Sequence, residues 1–337
     1  MTIALTRIDP FDDHDVDAWW GAYAAAERAD RAEGTPVWTL GETRREFQQD
    51  SSVVERRVYL LRAGGEVVGA ASLGLPLRDN THIAHLGLGV PPAHRGKGYA
   101  ARALSLIEDE ARAAGRSTAH STTSWLYELG SDGAGSPGRE FARRHGYALA
   151  LGDVQSRLDL PVEAALLDRL DEDIPPHGYT LRSWVGPVPD DVVEGWAALD
   201  AAVETEAPSG DLDLEPSTAH VAGIRETEEL HAQQNRISFG TVALNASGEV
   251  VAYTQLVVSG DDGNAYQWGT LVRRADRGHR LGTAVKTANL RLLQRESPQT
   301  PAVYTYNAES NAPMLAVNTL LGFHPRERMG ELQKQLD

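Results

Sequence analysis

Alternating apolar positions, then a basic turn, then a helical apolar stripe occur twice along the chain at nearly constant spacing. Residues 65–73 and 248–256 each place a glycine-containing turn before an alternating run. A turn feeding a period-two run predicts a hairpin. A further strand is predicted at 85–90 in the first half and at 267–272 in the second. Helices are predicted from 100 to about 114 and from 283 to about 295, where apolar residues recur at helical spacing. The first stripe is Ala103, Leu104, Ile107 and Ala111; the second is Val285, Ala288, Leu292 and Leu293.

Each half closes in the same way. A strand near 117–122 or 303–307 precedes a short helix that ends in a glycine and an aromatic residue, Gly146-Tyr147 and Gly322-Phe323. Glycine there suits a left-handed helix C-cap. The stretch 168–178, with Asp171, Glu172, Pro175 and Pro176, reads as linker, and a strand-like run begins at Tyr179. The expected organisation is a first domain over 1–160, a linker over 161–177 and a second domain over 178–337. Two loops are expected to be mobile, a glycine-rich one at 130–138 and an acidic one at 204–215.

The turns before the two helices carry the chemistry. One runs through Val90, Arg95, Gly96, Lys97, Gly98, Tyr99 and Ala100. The other runs through Leu271, Val272, Arg277, Gly278, His279, Arg280, Leu281 and Gly282. The offset between copies is the same from Val90 to Val272 as from Arg95 to Arg277. Matching offsets over several elements predict an internal duplication, and backbone amides at a helix start form a natural phosphate cradle.

Charge sharpens this reading. The 337-residue chain has 32 Lys and Arg against 48 Asp and Glu, a formal net charge of −16. Such a balance disfavours nucleic acid or an anionic membrane as partner. Against it stand two basic islands, His94, Arg95 and Lys97, and Arg273, Arg274, Arg277, His279 and Arg280. Either island alone also reads as solvated surface charge; their matched positions favour a small anionic ligand. With no cysteine, disulfides, thiolate metal sites and cysteine nucleophiles are excluded, and no metal is expected. The first residues lack a signal-peptide layout and no apolar run is long enough to span a bilayer, so a cytoplasmic protein, monomer or homodimer, is expected.

Gly96, Gly98 and Ala101 satisfy a G-x-G-x-x-A spacing. The dinucleotide-binding version needs the strand to run almost directly into the first glycine, whereas Pro91 and Pro92 intervene here and the second copy has Arg280 at a glycine position. The pattern both copies approach is Arg-x-x-Gly-x-Gly/Ala, as Arg95, Gly98 and Ala100, then Arg277, Arg280 and Gly282. This resembles the pyrophosphate loop of the GNAT N-acyltransferase superfamily. The flanking order of hairpin, strand, loop, long helix, strand, short helix and Gly-aromatic is similar as well, over roughly 40–150 and 235–325. The resemblance implies an α/β (α+β) protein of two tandem GNAT domains, each a mixed, mostly antiparallel sheet flanked by helices, with a two-domain architecture like that of mycothiol synthase.

It further implies an acyl-CoA-dependent N-acyltransferase. Acetyl-CoA or another acyl-CoA would be the co-substrate, and a small-molecule amine would attack the thioester directly. The turns would hold the coenzyme diphosphate, and backbone amides near Leu88 and Val90, or near Leu271 and Val272, would hold the carbonyl. In the second half Asn307 and Asn311 would contact the coenzyme. The two halves depart from the family pattern in opposite places. The first keeps glycines in its loop but has Ala142 where many members place a tyrosine acid. The second has Arg280 in its loop and Asn318 at the tyrosine position, a residue able to hydrogen-bond a thiolate but unable to donate a proton at neutral pH. Candidates for proton transfer are His82, His85 and His120 in the first half, and Tyr304, Tyr306 and Glu309 in the second. Asp211, Asp213 and Glu215 could steer a cationic amine. The other class open at this point is a non-catalytic acyl-CoA-binding scaffold with degenerate sites.

Overall fold

A computed structural model describes residues 3–172 and 178–336. In chain order the described strands are β1 (Ile3–Arg7), β2 (Val54–Ala63), β3 (Glu66–Pro76), β4 (Ile83–Gly89), β5 (Thr118–Leu126), β6 (Ala148–Asp159), β7 (Thr180–Val185), β8 (Ile237–Leu244), β9 (Val250–Val258), β10 (Ala265–Val272), β11 (Ala302–Ala308) and β12 (His324–Gln335). The helices are α1 (Asp13–Arg28), α2 (Leu40–Gln48), α3 (Tyr99–Ala113), α4 (Pro137–Arg144), α5 (Ala164–Glu172), α6 (Val193–Glu206), α7 (Val221–Gln233), α8 (Leu281–Glu296) and α9 (Ala312–Leu321). The predicted strands and helices of both halves are all present. Local chemistry explains their limits. Asp12 caps α1 by accepting from the amides of His14 and Asp15. Thr39 and Glu42 cap α2 reciprocally, satisfying amides that have no partner inside the helix.

The chain forms two compact units. The first comprises Met1–Asp153, Ser209–Glu215 and Glu327–Asp337; the second comprises Val154–Pro208 and Pro216–Arg326. This partition differs from the linear one expected from the sequence. The boundary falls within β6, and the predicted linker supplies α5, which Arg291 of α8 holds through Asp168 and Asp171; residues 173–177 of that linker lie outside the described residues. The first unit also takes β12 from far along the chain.

In the first unit the strand order is β1-β2-β3-β4-β5-β12, then the start of β6. All neighbouring pairs through β4 are antiparallel. β4 and β5 are parallel and pair at Ile83↔Thr118, Ala84↔Ala119 and His85↔His120. Beyond that point β5 follows β12 in an antiparallel ladder from Thr118↔Gln335 to Leu126↔Glu327, leaving the facing edge of β4 without a strand. α3 lies against one face of the sheet, where Ala103, Leu104, Ile107 and Ala111 pack on Leu73, Ala84, Leu86, Ala119 and Leu332. α1 covers the other face with Val16 and Trp19 against Leu60 and Ala70.

The second unit repeats the plan with the end of β6, then β11, β10, β9, β8 and β7. Its parallel pair, β10 and β11, joins at Ala265↔Val303 and Tyr266↔Tyr304. β10 carries a bulge between Gln267 and Thr270 where it pairs with β9, a feature β4 lacks on β3. No helix among the described residues is long and apolar enough to cross a membrane.

Candidate active site

Where β4 and β5 diverge, the first unit opens a cleft of about 520 Å3. Leu88, Gly89 and Val90 line one side and Thr122, Thr123 and Ser124 the other, with the turn from His94 to Ala101 along the rim. Unpaired strand edges leave backbone polar groups seeking partners, so the edge of β4 past His85 is suited to a ligand that itself hydrogen-bonds like a strand. The far wall is α4. It lies flush on β5 because residue 138 is glycine, where a Cβ would sit 2.1 Å from Thr123 Oγ1.

The turn is built from the sequence outward. Pro92–His94 form a single 3-10 turn. Gly96 and Gly98 then take positive φ of 76° and 79°, and Gly98 opens α3 from the left-handed region. A Cβ at either glycine would meet nothing within 4 Å, and both glycines line the open cleft. That geometry suits a phosphate held by the amides and by the positive end of α3. Arg95 has a different task from direct anion contact. Its Nε donates to the Val90 carbonyl at 2.9 Å and its Nη1 pairs with Asp30 at 2.7 Å, which ties the turn to the strand end. Lys97 reaches the Ala93 carbonyl at 3.3 Å and stays exposed; Tyr99 and Ala100 start the helix beside the cleft.

In the second unit the same backbone recurs at the matched positions. A 3-10 turn spans Arg274–Asp276, Gly278 has φ 85°, and Arg280 opens α8 at φ 56°. Arg277 again donates Nε to the strand-end carbonyl, Val272, at 3.1 Å, and pairs with Glu206 at 2.6 Å. The side chains differ. Asp276 stands where the first unit has His94, buried and held by Arg273 and the Tyr179 hydroxyl. His279 donates Nδ1–H to the Asp276 carbonyl at 3.2 Å and its ring lies 5.6 Å from Tyr179. Leu271 and Leu281 are buried, Val272 packs against the cluster of Leu281 and Val285, and Gly282 faces Val272. A carboxylate at the turn opposes an anionic ligand, and this turn is already engaged with its own side chains.

The other predicted residues fall into two groups. In the second unit, Asn318 donates Nδ2 to Asn307 Oδ1 at 2.6 Å, while its own Oδ1 is buried without a hydrogen-bond partner. Asn311 spends its side-chain oxygen capping α9 at Met314. The Tyr306 hydroxyl accepts from Gln155 at 2.5 Å, and Glu309 lies half-buried in the turn after β11. In the first unit, His85 and His120 meet edge to face at 5.7 Å. His120 is buried and bonded to Gln333 at 2.9 Å, and His82 faces Asp213 at 3.5 Å. Desolvation against the sheet, and then His120, push the His85 imidazole down to about 4, although the residue keeps an exposed edge. It is neutral at pH 7 and a weak acceptor for an ammonium proton. The predicted mobile loops are tethered: the Gly130 carbonyl takes the Trp125 indole, and the amides of Asp213 and Glu215 donate to Gln333 and Asn80.

Sequence reasoning missed two carboxylates and a lysine. Asp153 on β6 and Glu331 on β12 belong to the first unit, where burial raises both, Asp153 to about 6 and Glu331, also raised by Asp153, to about 7. Lys286 on α8 is buried beneath the second unit's turn, bonded to Gln267 at 3.1 Å, and desolvation lowers it to about 7. No local motif marks any of them.

A parallel strand pair with a left-handed turn leading into a long helix, twice in one chain, is the arrangement of a tandem GNAT fold. The sequence model of the acetyltransferase (GNAT) family matches residues 22–124, within the first unit. A tandem GNAT protein from the clavulanic acid biosynthesis pathway is similar over 100% of this chain and 99% of its own, at 28% identity and a TM-score of 0.79. A GCN5-related N-acetyltransferase from Sphaerobacter thermophilus shares the fold over 99% of this chain and 96% of its own, at 17% identity and a TM-score of 0.65. No curated protein matches the sequence significantly. The first unit thus matches the GNAT acetyltransferase family in sequence, and the whole chain shares the fold of a tandem GNAT protein.

Proposed function

We propose that the protein transfers an acyl group, in the simplest case acetyl, from acyl-CoA to the nitrogen of a small-molecule amine, and that the first unit does the chemistry. The observation that supports this is the open cleft between β4 and β5, capped by a turn whose two left-handed glycines line it. Acyl-CoA supplies an activated thioester carbonyl. The amides of Gly96, Gly98 and the first turn of α3 would hold its diphosphate, and the unpaired edge at Leu88–Val90 would orient the pantetheine arm and polarise the carbonyl. The second unit, with Asp276 and Arg280 in its turn, fits a scaffolding role better than a second catalytic one.

Isothermal calorimetry with CoA, together with thiol release from acetyl-CoA in the presence of primary amines, tests this reading. One CoA per chain is expected, lost in Gly98→Trp, whose ring would fill the space before the amides. Unchanged affinity and stoichiometry in Gly98→Trp would reject the assignment to the first unit.

A further inference from the structure

Five acidic residues are buried among the described residues, and four have partners. Glu42 closes the α2 capping box, Glu108 meets Lys334 and Tyr147, Asp276 meets Arg273 and Tyr179, and Glu327 binds Arg31, Thr35 and the Ala32 amide. Asp153 is the exception. It is only 9% exposed, yet among the described residues its carboxylate has neither a hydrogen bond nor an ion pair, and its charge bears on Glu331, likewise without a cation. An uncompensated buried carboxylate is costly and persists where something else satisfies it.

The position of the pair says what that could be. Glu331 is the register partner of Thr122, and Thr122 lines the cleft. Strand alternation puts Glu331 on the face shared with Glu327, Met329 and Gln333, opposite Leu332 and Lys334, which meet the core and Glu108 beside α3. The charged and titratable groups on this face are accounted for. Arg31 is committed to Glu327, His120 to Gln333, and His82 to Asp213, while His85 packs on His120. Among the described residues no cation acts on either acid: Asp153 feels burial alone, and Glu331 feels burial and Asp153.

We propose that Asp153 and Glu331 seat the ammonium group of the acceptor amine at the cleft, and that Glu331 takes its proton. This rests on the reading of the first unit as the acyl-transferring one. The ammonium nitrogen loses one proton to the Glu331 carboxylate, and its freed electron pair forms the C–N bond at the thioester carbonyl. The C–S bond breaks and sulfur leaves with the bonding pair. The second nitrogen proton passes to that sulfur, and Glu331 returns its own to solvent. Two desolvated carboxylates titrate as a pair, and the value near 7 for Glu331 matches a proton acceptor at neutral pH better than His85 does.

The test uses the full chain, acetyl-CoA and a set of primary amines (ethanolamine, histamine, tryptamine, spermidine), following thiol release from pH 5.5 to 9. In the wild type, kcat/KM for the amine should fall as pH drops below about 7, where Glu331 becomes protonated. Glu331→Gln should lower it about 100-fold or more, leave KM for acetyl-CoA within about threefold, and abolish that acidic limb, with partial recovery in Glu331→Asp. Asp153→Asn should raise KM for the amine and move the limb to lower pH. An active wild type alongside a Glu331→Gln variant with unchanged kcat/KM and limb overturns the inference and leaves the acyltransfer reading standing. A wild type that binds acetyl-CoA but releases no thiol with any of these amines overturns both.

Discussion

The two units carry one backbone in two chemical settings. Both turns descend from a strand-end valine, pass through a 3-10 turn, and enter a long helix through two residues of positive φ. Both are held by an arginine whose Nε binds the valine carbonyl. Around that shared frame the side chains diverge at matched positions. Gly98 corresponds to Arg280, His94 to Asp276, Leu104 to Lys286 and Ile107 to Asn289, each pair at the same offset as the two arginines. The buried side of α3 is apolar apart from Glu108, whereas that of α8 buries Thr283, Lys286, Thr287 and Asn289. The trajectory of the turn therefore depends on the arginine staple and the left-handed pair, and its capacity to hold a ligand depends on side chains free to vary. Conservation of shape between the copies does not imply conservation of chemistry.

The largest expected effect concerns what the first unit needs and the second does not. Glu327, fully buried, receives Arg31, Thr35 and the Ala32 amide. Removing one partner of a buried ion pair costs about 3–5 kcal/mol. Glu327→Ala should therefore destabilise the first unit by that amount in urea unfolding, with hydrogen exchange in the second unit unchanged. Equal loss of protection in both units would show that they unfold as one.

A smaller effect should come from giving the second unit the apolar residue type of the first. Lys286 is depressed to about 7 in the fold, so the unfolded chain binds more protons between pH 7 and 10.5 and stability rises with pH across that window. Below pH 7 the full penalty applies. Lys286→Met should raise stability by about 3 kcal/mol at pH 6, less than the full shift implies because Gln267 loses a partner. It should also flatten the rise above pH 7. Unchanged pH dependence in the variant would place the titration elsewhere.

The smallest effects come from exchanging the two helix-start residues. Arg280 occupies the left-handed region at a cost of about 1–2 kcal/mol, partly offset by the restricted unfolded chain. Arg280→Gly should thus stabilise the second unit by roughly 0.5–1 kcal/mol, and Gly98→Arg should destabilise the first similarly while weakening CoA binding. Gain of a second CoA site in Arg280→Gly would show that this side chain alone closes the second turn.

Much of this pairing could be read from the sequence because it is local. The apolar alternation of β3 and β9, the stripes of α3 and α8, and the Gly-aromatic ends need only neighbouring residues to specify them. The left-handed turn before α3 was legible for the same reason, since two glycines before a helix leave a fixed mark. Long-range pairing was not. β12 alternates like any strand, and nothing in residues 324–335 indicates that its neighbour is β5, from the first half of the chain. Asp153 and Glu331 fall out of view with it, because each is an ordinary acid until the sheet removes its water. Arg95 was legible as a conspicuous charge in that turn, but only the structure shows its guanidinium turned to Val90 and Asp30.

The exchange of β12 has a consequence for how the protein is made. Domains generally fold as they leave the ribosome, the first before the next, at about 5–20 residues per second. Here residues 1–153 emerge without Leu332 for their core, without Glu327 for Arg31 and without a neighbour for most of β5. At that rate they wait roughly 10–40 s for residue 335, with an open sheet edge that another nascent chain could occupy. A fragment ending near residue 160 should accordingly be a poor stand-in for the first unit, and the intact unit is assembled last although its sequence is read first.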